Sequence, residues 1–215
     1  MTAAFEPDLT LWDAWTPAEV ARLLADVQAP WCVTAGWAID LFLGGQTREH
    51  GDLEIGIPRE RFADVASVFA GFEFFVPVSD TGMVWPLDQA GDFVEEHHQT
   101  WVREPSNGHW RLDIFREPSD NGMWVCRRAE SIRLPYSDLI EHTPDGIPYS
   151  RPEVALLFKA KHSDLPKNQA DFAAVHRQER KRLGPANDHQ GVGPRLLPGN
   201  GEAAGGEGIV EAVGQ

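Results

Sequence analysis

The sequence predicts an α+β fold, because helix-forming patterns at both ends of the chain enclose a central region of strand-like runs. Near the start, Thr16 and Glu19 have the spacing of a capping box, and apolar residues follow at helical intervals. Between residues 72 and 133, short apolar runs alternate with Gly, Pro, Asn and Asp, which is typical of strands joined by turns. The segments EVALLFKAKH and NQADFAAVHRQERKR predict two helices after this region.

The length and composition predict one folded domain followed by a tail. The chain has 215 residues, of which 42% are hydrophobic, enough for one sizeable core. We expect this domain to span residues 1–183, with its helical end at 150–183. Residues 184–215 are rich in Gly and poor in large apolar side chains, which predicts a disordered tail.

The charge of the chain narrows the classes of partner. A formal net charge of −14 repels nucleic acids and anionic membranes and favours small cationic molecules, although it could also serve solubility alone. No apolar run approaches the roughly 18 residues of a membrane span, and no secretory pattern opens the sequence. We therefore expect a cytoplasmic protein that binds neither nucleic acid nor membrane, with Cys32 and Cys126 as buried reduced thiols.

The most informative segment runs from residue 31 to residue 58. A short apolar run is followed by Ala35-Gly36 as a turn, a helix that ends at Gly44-Gly45, and then a predicted strand. On that strand Asp52 and Glu54 alternate with apolar residues, so both carboxylates should lie on one face. Paired carboxylates of this kind suit Mg²⁺ together with phosphate oxygens, but they are also common on solvated strand faces.

Further strands are predicted in the central region. The segments FVEEHHQTWV, HWRLDIFRE and MWVCRR read as strands, and Asp120-Asn121-Gly122 reads as the turn of a hairpin. Within HWRLDIFRE, Leu112 and Ile114 should face the core, so Asp113 should face the same cleft as the paired carboxylates. A solvated strand aspartate remains the alternative for Asp113.

The residues between positions 36 and 54 resemble the nucleotidyltransferase superfamily, in particular its aminoglycoside 2''-nucleotidyltransferase-like and lincosamide nucleotidyltransferase-like branch. The matching residues, in order, are Gly36, Trp37, Ala38, Ile39, Asp40, Thr47, Arg48, His50, Asp52 and Glu54. The resemblance implies a nucleotidyltransferase (polymerase-beta-like) fold, with a mixed, mostly antiparallel sheet flanked by helices. It also implies an Mg²⁺-dependent transferase that moves a nucleoside monophosphate, such as AMP from ATP, to a hydroxyl of a small molecule.

The resemblance assigns roles to three carboxylates. Asp52 and Glu54 would bind Mg²⁺, with two ions expected, and Asp113 would be both a third metal ligand and the general base toward the acceptor hydroxyl. An aminoglycoside-like antibiotic is the acceptor class that the branch implies, and a cationic acceptor agrees with the acidic chain. The sequence leaves the oligomeric state open.

The same resemblance places Gly36 and Trp37 at the nucleotide, with Gly36 at a helix N-terminus that favours anions. Arg48 could grip phosphate, or it could pair with Glu49 or Asp52. Asp40 is expected to tether a loop rather than to bind a metal.

The two terminal helices carry further candidates for the site. Lys159 and Lys161 are two positions apart, so only one of them can face the site, and Lys159 is our candidate for nucleotide binding. Lys167 and Asp171 resemble a recurring element of the branch that joins the helices.

Two departures from the branch leave a second hypothesis open. Glu54 stands where Asp is commoner, and Ala35 stands where Gly is frequent. A longer ligand changes the geometry on which Mg²⁺ depends, and a larger residue at the turn narrows the approach to the helix. The alternative function is therefore a nucleotide-binding or regulatory module of the same fold with weakened catalysis.

Overall fold

The computed structural model describes residues 3–183. The predicted Gly-rich tail, residues 184–215, lies outside the described residues, so the domain boundary at 183 stays a prediction. Within residues 3–183, no helix combines the length and the apolar composition that crossing a membrane requires.

The strands of residues 3–183 form a large sheet and a small one. They are β1 (Cys32–Val33), β2 (Glu54–Pro58), β3 (Glu73–Val78), β4 (Met83–Pro86), β5 (Gln99–Arg103), β6 (Trp110–Glu117), β7 (Ser119–Asp120), β8 (Met123–Val125), β9 (Arg133–Pro135), β10 (Ile140–His142) and β11 (Pro148–Ser150). The large sheet has the order β10-β11-β1-β2-β6-β5-β3-β4, and the small sheet has the order β7-β8-β9. In the large sheet β1 is parallel to β11 and β2 to β6, whereas the other pairs are antiparallel. This topology confirms the predicted mixed, mostly antiparallel sheet.

The helices lie at both ends of the chain and in the connections between strands. They are α1 (Pro17–Leu23), α2 (Ala35–Leu43), α3 (Phe62–Ala66), α4 (Phe93–Glu96), α5 (Tyr136–Leu139), α6 (Pro152–Lys159) and α7 (Pro166–Leu183). The predicted capping box of α1 is present, because Thr16 accepts from the amide of Glu19 while Glu19 accepts from the amide of Thr16. The first helix and the two last helices therefore form where the sequence predicts them.

The core is built around β2. Leu53, Ile55 and Ile57 are fully buried and belong to the same apolar cluster as Ile39 and Phe42 of α2. The predicted alternation is thus confirmed, but the strand begins at Glu54 rather than at Asp52. The partner strand β1 is only two residues long, and its last ladder contact is the amide of Thr34 on the carbonyl of Glu54, at 2.9 Å.

Part of the predicted strand FVEEHHQTWV is helical instead. Phe93–Glu96 forms the single turn α4, and strand pairing starts only at Gln99. The chain reverses at Gly91, whose φ is +53°, and the Phe93 ring then packs on Trp85 at 5.5 Å between centroids. The predicted hairpin turn is confirmed, since Asn121 and Gly122 have φ of +50° and +78° between β7 and β8.

The N-terminal segment packs against the large sheet. Phe5 forms a bridge with Val84 on the edge strand β4, and Trp12 forms one with Trp110 on β6. The Trp110 indole also donates to the carbonyl of Asp8, at 3.2 Å. Residues 3–15 are therefore attached to the sheet at several points along their length.

The turn into α2 is strained. Ala35, the first residue of α2, has a φ of +52°, in the left-handed region that favours Gly. A side chain in this region costs about 1–2 kcal/mol, and such strain is typical of functional sites. The helix ends at Gly44 with a φ of +81°, as the sequence predicts.

Ala35→Gly should raise the free energy of unfolding by about 0.5–1 kcal/mol, because relief of the left-handed strain exceeds the extra entropy of Gly in the unfolded chain. Urea denaturation measures this change. Asn121→Gly, at a φ of +50° in the hairpin, is the matched control and should gain less, since Asn tolerates this conformation. A lower free energy of unfolding for Ala35→Gly would show that Ala35 is not strained.

Candidate functional site

A cavity of about 650 Å³ opens beside the beginning of β2. The start of α2 and the loop before β2 line one side of it, and α6 and α7 line another. Residues of β5, of β6 and of the segment after β8 complete the wall. The cavity therefore lies where the segment of residues 31–58 meets the helical end of the chain.

Two of the three predicted carboxylates line this cavity. Asp52 precedes β2 and Glu54 is its first residue, and both side chains contribute to the wall. Asp113 lies directly beside Glu54 in the register of the parallel strands β2 and β6, so both residues are on the same face of the sheet. The amide of Asp113 also donates to the carbonyl of Leu53, at 2.9 Å, which fixes the two strands together at this point.

Asp113 is next to the cavity but does not line it. Its side chain is buried, and one of its oxygens, Oδ2, accepts a hydrogen bond from Nε2 of Gln99 at 2.6 Å. Gln99 does line the cavity, so it stands between the cavity and Asp113. The other oxygen of Asp113, Oδ1, is buried without a hydrogen-bond partner.

Burial raises the pKa of both strand carboxylates. The pKa of Glu54 rises to about 8, first because of burial and then because of the negative charges of Asp52 and Asp113. The pKa of Asp113 rises to about 7, again mainly through burial, although the hydrogen bond from Gln99 acts in the opposite direction. The three acids therefore form a site where negative charge is crowded and poorly compensated.

These residues fit a divalent cation only in part. Among residues 3–183, no three Asp, Glu, His or Cys side chains are already arranged as a metal-binding cluster. The predicted set of Asp52, Glu54 and Asp113 is thus adjacent but not assembled, since Asp113 does not line the cavity and its Oδ2 is bonded to Gln99. The orphaned Oδ1 of Asp113 and the crowded charge on Glu54 are both features that a cation would relieve. Mg²⁺ commonly takes one or two carboxylates and completes its shell with water and phosphate oxygens.

The start of α2 faces the cavity with free backbone amides. Thr34 precedes the helix without capping it through its side chain, and Thr34, Ala35 and Gly36 all line the cavity. A Cβ at position 36 would lie 2.5 Å from Nη2 of Arg48 and 2.8 Å from the ring of His50. The absence of a side chain at Gly36 therefore leaves room for the side chains of Arg48 and His50 beside the start of α2.

Asp40 anchors the loop that carries these side chains. Its carboxylate accepts a hydrogen bond from the hydroxyl of Thr47 and contacts Nε2 of His50 at 2.6 Å. The ring of Trp37 stacks on His50, with centroids 4.5 Å apart, and Trp37 is not among the residues that line the cavity. Asp40 thus tethers the loop as expected, and Trp37 supports His50 where direct contact with a nucleotide was expected.

The walls of the cavity are cationic although the chain is acidic. Five Lys and Arg residues line it but only three Asp and Glu residues do, within a chain whose net charge is −14. The cations are Arg48, Arg127, Arg128, Lys159 and Lys167, and the anions are Asp52, Glu54 and Glu117. An excess of cations around a few carboxylates suits a polyphosphate.

Asp171 organises the cations on the side of α6 and α7. Nζ of Lys159 lies 2.9 Å from Oδ2 of Asp171, and Nη2 of Arg48 lies 4.0 Å from the same oxygen. Arg48 is therefore not paired with the side chains of Glu49 or Asp52, the two alternatives from the sequence. Lys161 is exposed and does not line the cavity, in agreement with the prediction that only one of the two lysines reaches it.

A second group of charged residues, which the sequence did not predict, lies on the opposite side of the cavity. Arg127 forms an ion pair with Glu117, and its guanidinium lies between the rings of Phe115 and Phe158, at 4.7 and 4.2 Å. Arg128 donates to the carbonyl of Phe158 at 2.7 Å. One signal was available, since residues 113, 115 and 117 alternate along β6 and must share a face.

Comparisons with known proteins agree with this geometry. Residues 18–85 match the family model of aminoglycoside-2''-adenylyltransferase. The crystal structure of the lincosamide antibiotic adenylyltransferase LnuA with lincomycin is similar, at a TM-score of 0.50 and 17% identity, covering 74% of this chain and 93% of that one. No curated protein matches the sequence.

Two structures of ANT(2'')-Ia are similar as well. The solution structure of this antibiotic-resistance factor has a TM-score of 0.51 and 13% identity, and covers 81% of this chain and 85% of that one. The crystal structure with adenylyl-2''-tobramycin has a TM-score of 0.52 and 13% identity, with coverages of 77% and 88%. The structural likeness confirms the predicted nucleotidyltransferase fold, and the family match confirms the predicted resemblance and the prediction of a nucleotidyltransferase enzyme.

The raised pKa of Glu54 predicts a pH dependence of stability in the metal-free protein. The folded chain keeps this proton up to a pKa of about 8, whereas the unfolded chain loses it near its ordinary value of 4.5. Between these values the folded state binds more protons, so stability falls as pH rises, by at most about 1.4 kcal/mol per pH unit for one group. In the Glu54→Gln variant the free energy of unfolding should decrease less steeply between pH 6.5 and 8 than in the wild type. Urea denaturation in the presence of EDTA measures this slope.

The window starts at pH 6.5 because burial lowers the pKa of His98 to about 4, and below its ordinary value of 6.5 this group gives the opposite slope. The exposed Glu96 in α4 provides the control, and Glu96→Gln should keep the wild-type slope. Identical slopes for wild type and Glu54→Gln would show that Glu54 is ionised in the folded protein throughout this range.

Proposed function

We propose that this protein transfers a nucleoside monophosphate, AMP from ATP in our leading version, to a hydroxyl group of a small antibiotic-like molecule with the aid of Mg²⁺. One observation carries the proposal. Asp52, just before the central strand β2, and Glu54, its first residue, line a cavity whose walls are cationic, and Asp113 lies beside Glu54 on the parallel strand β6. The family match over residues 18–85 includes Asp52 and Glu54 and supports the same chemistry.

In this proposal the paired carboxylates are the metal ligands. Asp52 and Glu54 would hold Mg²⁺, with room for a second ion if Asp113 becomes accessible. When bound, Mg²⁺ would neutralise charge on the triphosphate and polarise the reacting oxygens. Ionisation of Glu54, whose pKa is raised to about 8 in its absence, would then be favoured by the neighbouring positive charge.

The phosphates would lie against the start of α2 and the surrounding cations. The free amides at the N-terminus of α2 favour negative charge, and the missing side chain of Gly36 lets the guanidinium of Arg48 approach them. Lys159 would contact phosphate from α6, and Arg127 would approach from the other side of the carboxylates. Trp37 would act through His50, which it supports by stacking.

Asp113 would be the general base. The acceptor hydroxyl would transfer its proton to Asp113 while its oxygen attacks the α-phosphorus, and pyrophosphate would leave as that bond forms. A base with a pKa of about 7 is well matched to this task near neutral pH. Because Gln99 separates Asp113 from the cavity, this role requires the Gln99 side chain to move when the acceptor binds.

The acceptor would be a small hydroxylated compound. The similar structures contain lincomycin in LnuA and adenylyl-2''-tobramycin in ANT(2'')-Ia. A cationic acceptor such as an aminoglycoside would also be attracted by the net charge of −14. The nucleotide co-substrate and the free buried thiols Cys32 and Cys126 both suit a reducing cytoplasm.

The Asp52→Asn/Glu54→Gln double variant should lose transfer by at least about 10²–10³-fold, because the charge that neutralises metal-bound phosphate is removed. The assay follows labelled ATP with Mg²⁺ and a panel of aminoglycosides and lincosamides. Asp88→Asn/Glu96→Gln, which removes two exposed acids, should retain wild-type rates. Equal transfer by the two double variants would exclude the site, and tight nucleotide binding without turnover in the wild type would favour the binding-module alternative.

Lys159→Met should weaken the binding of a non-hydrolysable ATP analogue about tenfold, which corresponds to one lost charged hydrogen bond. Titration calorimetry with Mg²⁺ measures this affinity. Lys161→Met is the matched control and should change the affinity less than about twofold, since Lys161 is exposed away from the cavity. Melting temperatures of both variants are compared, because Lys159→Met also leaves the buried Asp171 without its closest cation. Equal affinities would remove Lys159 from the nucleotide site.

A further inference from the structure

We infer that Gln99 and Trp101 are positioning residues that hold the carboxylate of Asp113 from both of its oxygens. Gln99, which lines the cavity, holds Oδ2, and Trp101, which does not line it, holds Oδ1. The inference rests on the proposed function of Asp113 for its catalytic meaning, but the contact itself can be measured independently of activity. Neither residue belongs to the part of the chain matched by the family model.

Strand register brings these three residues together. Trp101 of β5 is the direct partner of Asp113 in the antiparallel pairing of β5 with β6. Gln99 is two positions from Trp101 and therefore shares its face, while Thr100 and Val102 between and beyond them are fully buried on the other face. Asp113 thus meets Trp101 directly and Gln99 on the diagonal.

Two buried groups beside each other lack partners. Oδ1 of Asp113 and the indole N–H of Trp101 are both buried, and neither has a hydrogen bond of good geometry, although the nearby Trp101 indole already acts to lower the pKa of Asp113. Buried polar groups are normally hydrogen-bonded. A buried donor and a buried acceptor that face each other on adjacent strands are therefore expected to bond to each other. A hydrogen bond from the indole to Oδ1 would leave neither group unsatisfied.

The contrast with Trp85 makes this pairing specific. The indole N–H of Trp85 is also buried and without a partner, but the residue facing it across β3 and β4 is Val76, which offers no side-chain acceptor. Only at Trp101, among the tryptophans of residues 3–183 with orphaned indoles, does a carboxylate face the indole.

Trp101 is a fixed donor, whereas Gln99 is a mobile one. The ring of Trp101 packs edge-to-face on Trp12 and Trp110, with centroids 5.4 and 5.3 Å away. Gln99 lines the cavity and can turn toward a ligand. Asp113 therefore keeps its orientation through Trp101 when Gln99 moves aside for the acceptor.

The contact is tested by ¹H–¹⁵N spectra of the full chain, in which each of the eight tryptophans gives one indole signal. Trp101→Phe identifies the signal of Trp101, and Trp85→Phe identifies the control signal. Asp113→Asn should shift the Trp101 signal more than any other indole signal and leave that of Trp85 unchanged. An unmoved Trp101 signal would overturn the inference, whatever the activity of the variants.

The positioning role is tested by kinetics. Trp101→Phe should lower kcat about tenfold, as expected for one lost hydrogen bond, while KM for nucleotide and acceptor stays within about twofold. Gln99→Leu should act in the same direction, and neither change should lower kcat further in an Asp113→Asn background. If either change lowered kcat in the Asp113→Asn background as much as it does in the wild type, Gln99 and Trp101 would not act through Asp113. If the indole signal shifts but Asp113→Asn transfers at the wild-type rate, the contact stands and the catalytic role proposed for Asp113 fails.

Discussion

The parallel pairing of β2 with β6 is the constraint on which the rest of the site depends. It sets Glu54 and Asp113 side by side on one face of the sheet, with the amide of Asp113 bonded to the carbonyl of Leu53. Asp113 is buried and Glu54 is half-buried in the wall of the cavity, so their negative charges repel each other and burial adds to the cost of charging them. The apolar residues on the other face of β2 hold the arrangement in place, because slipping the register by one residue would expose the core.

The cations are arranged around this pair in two groups that belong to different parts of the chain. Arg48 and Lys159 converge on Asp171, which joins the loop before β2 to the two terminal helices. Arg127 is held by Glu117 and by two phenyl rings, which restrict the guanidinium to one plane. In the first group two cations share one carboxylate, whereas in the second Arg127 has the carboxylate of Glu117 as its partner. The cavity therefore has cations on two sides of Asp52 and Glu54.

The sequence predicts those features of the site that depend on local spacing. The alternation around Asp52 and Glu54, the turn before α2 and the alternation around Asp113 each lie within a few residues, so periodicity is sufficient. Gln99, Trp101 and Arg127 could not be found in this way, because only the register of β5 on β6 and the packing of the small sheet bring them to Asp113 and Glu117. The single helical turn of α4 was missed for a similar reason, since a contact with Trp85 overrides its strand-like composition.

The attachment of the N-terminal segment links the beginning of the chain to Asp113. Trp12 packs edge-to-face on Trp101, and Trp101 faces Asp113 across β5 and β6. Displacing Trp12 would therefore loosen a neighbour of Asp113, although Trp12 lies 40 residues before Asp52 in the sequence. Natural variation at Trp12, or at Phe5, which is bridged to the edge strand β4, should alter turnover through packing alone.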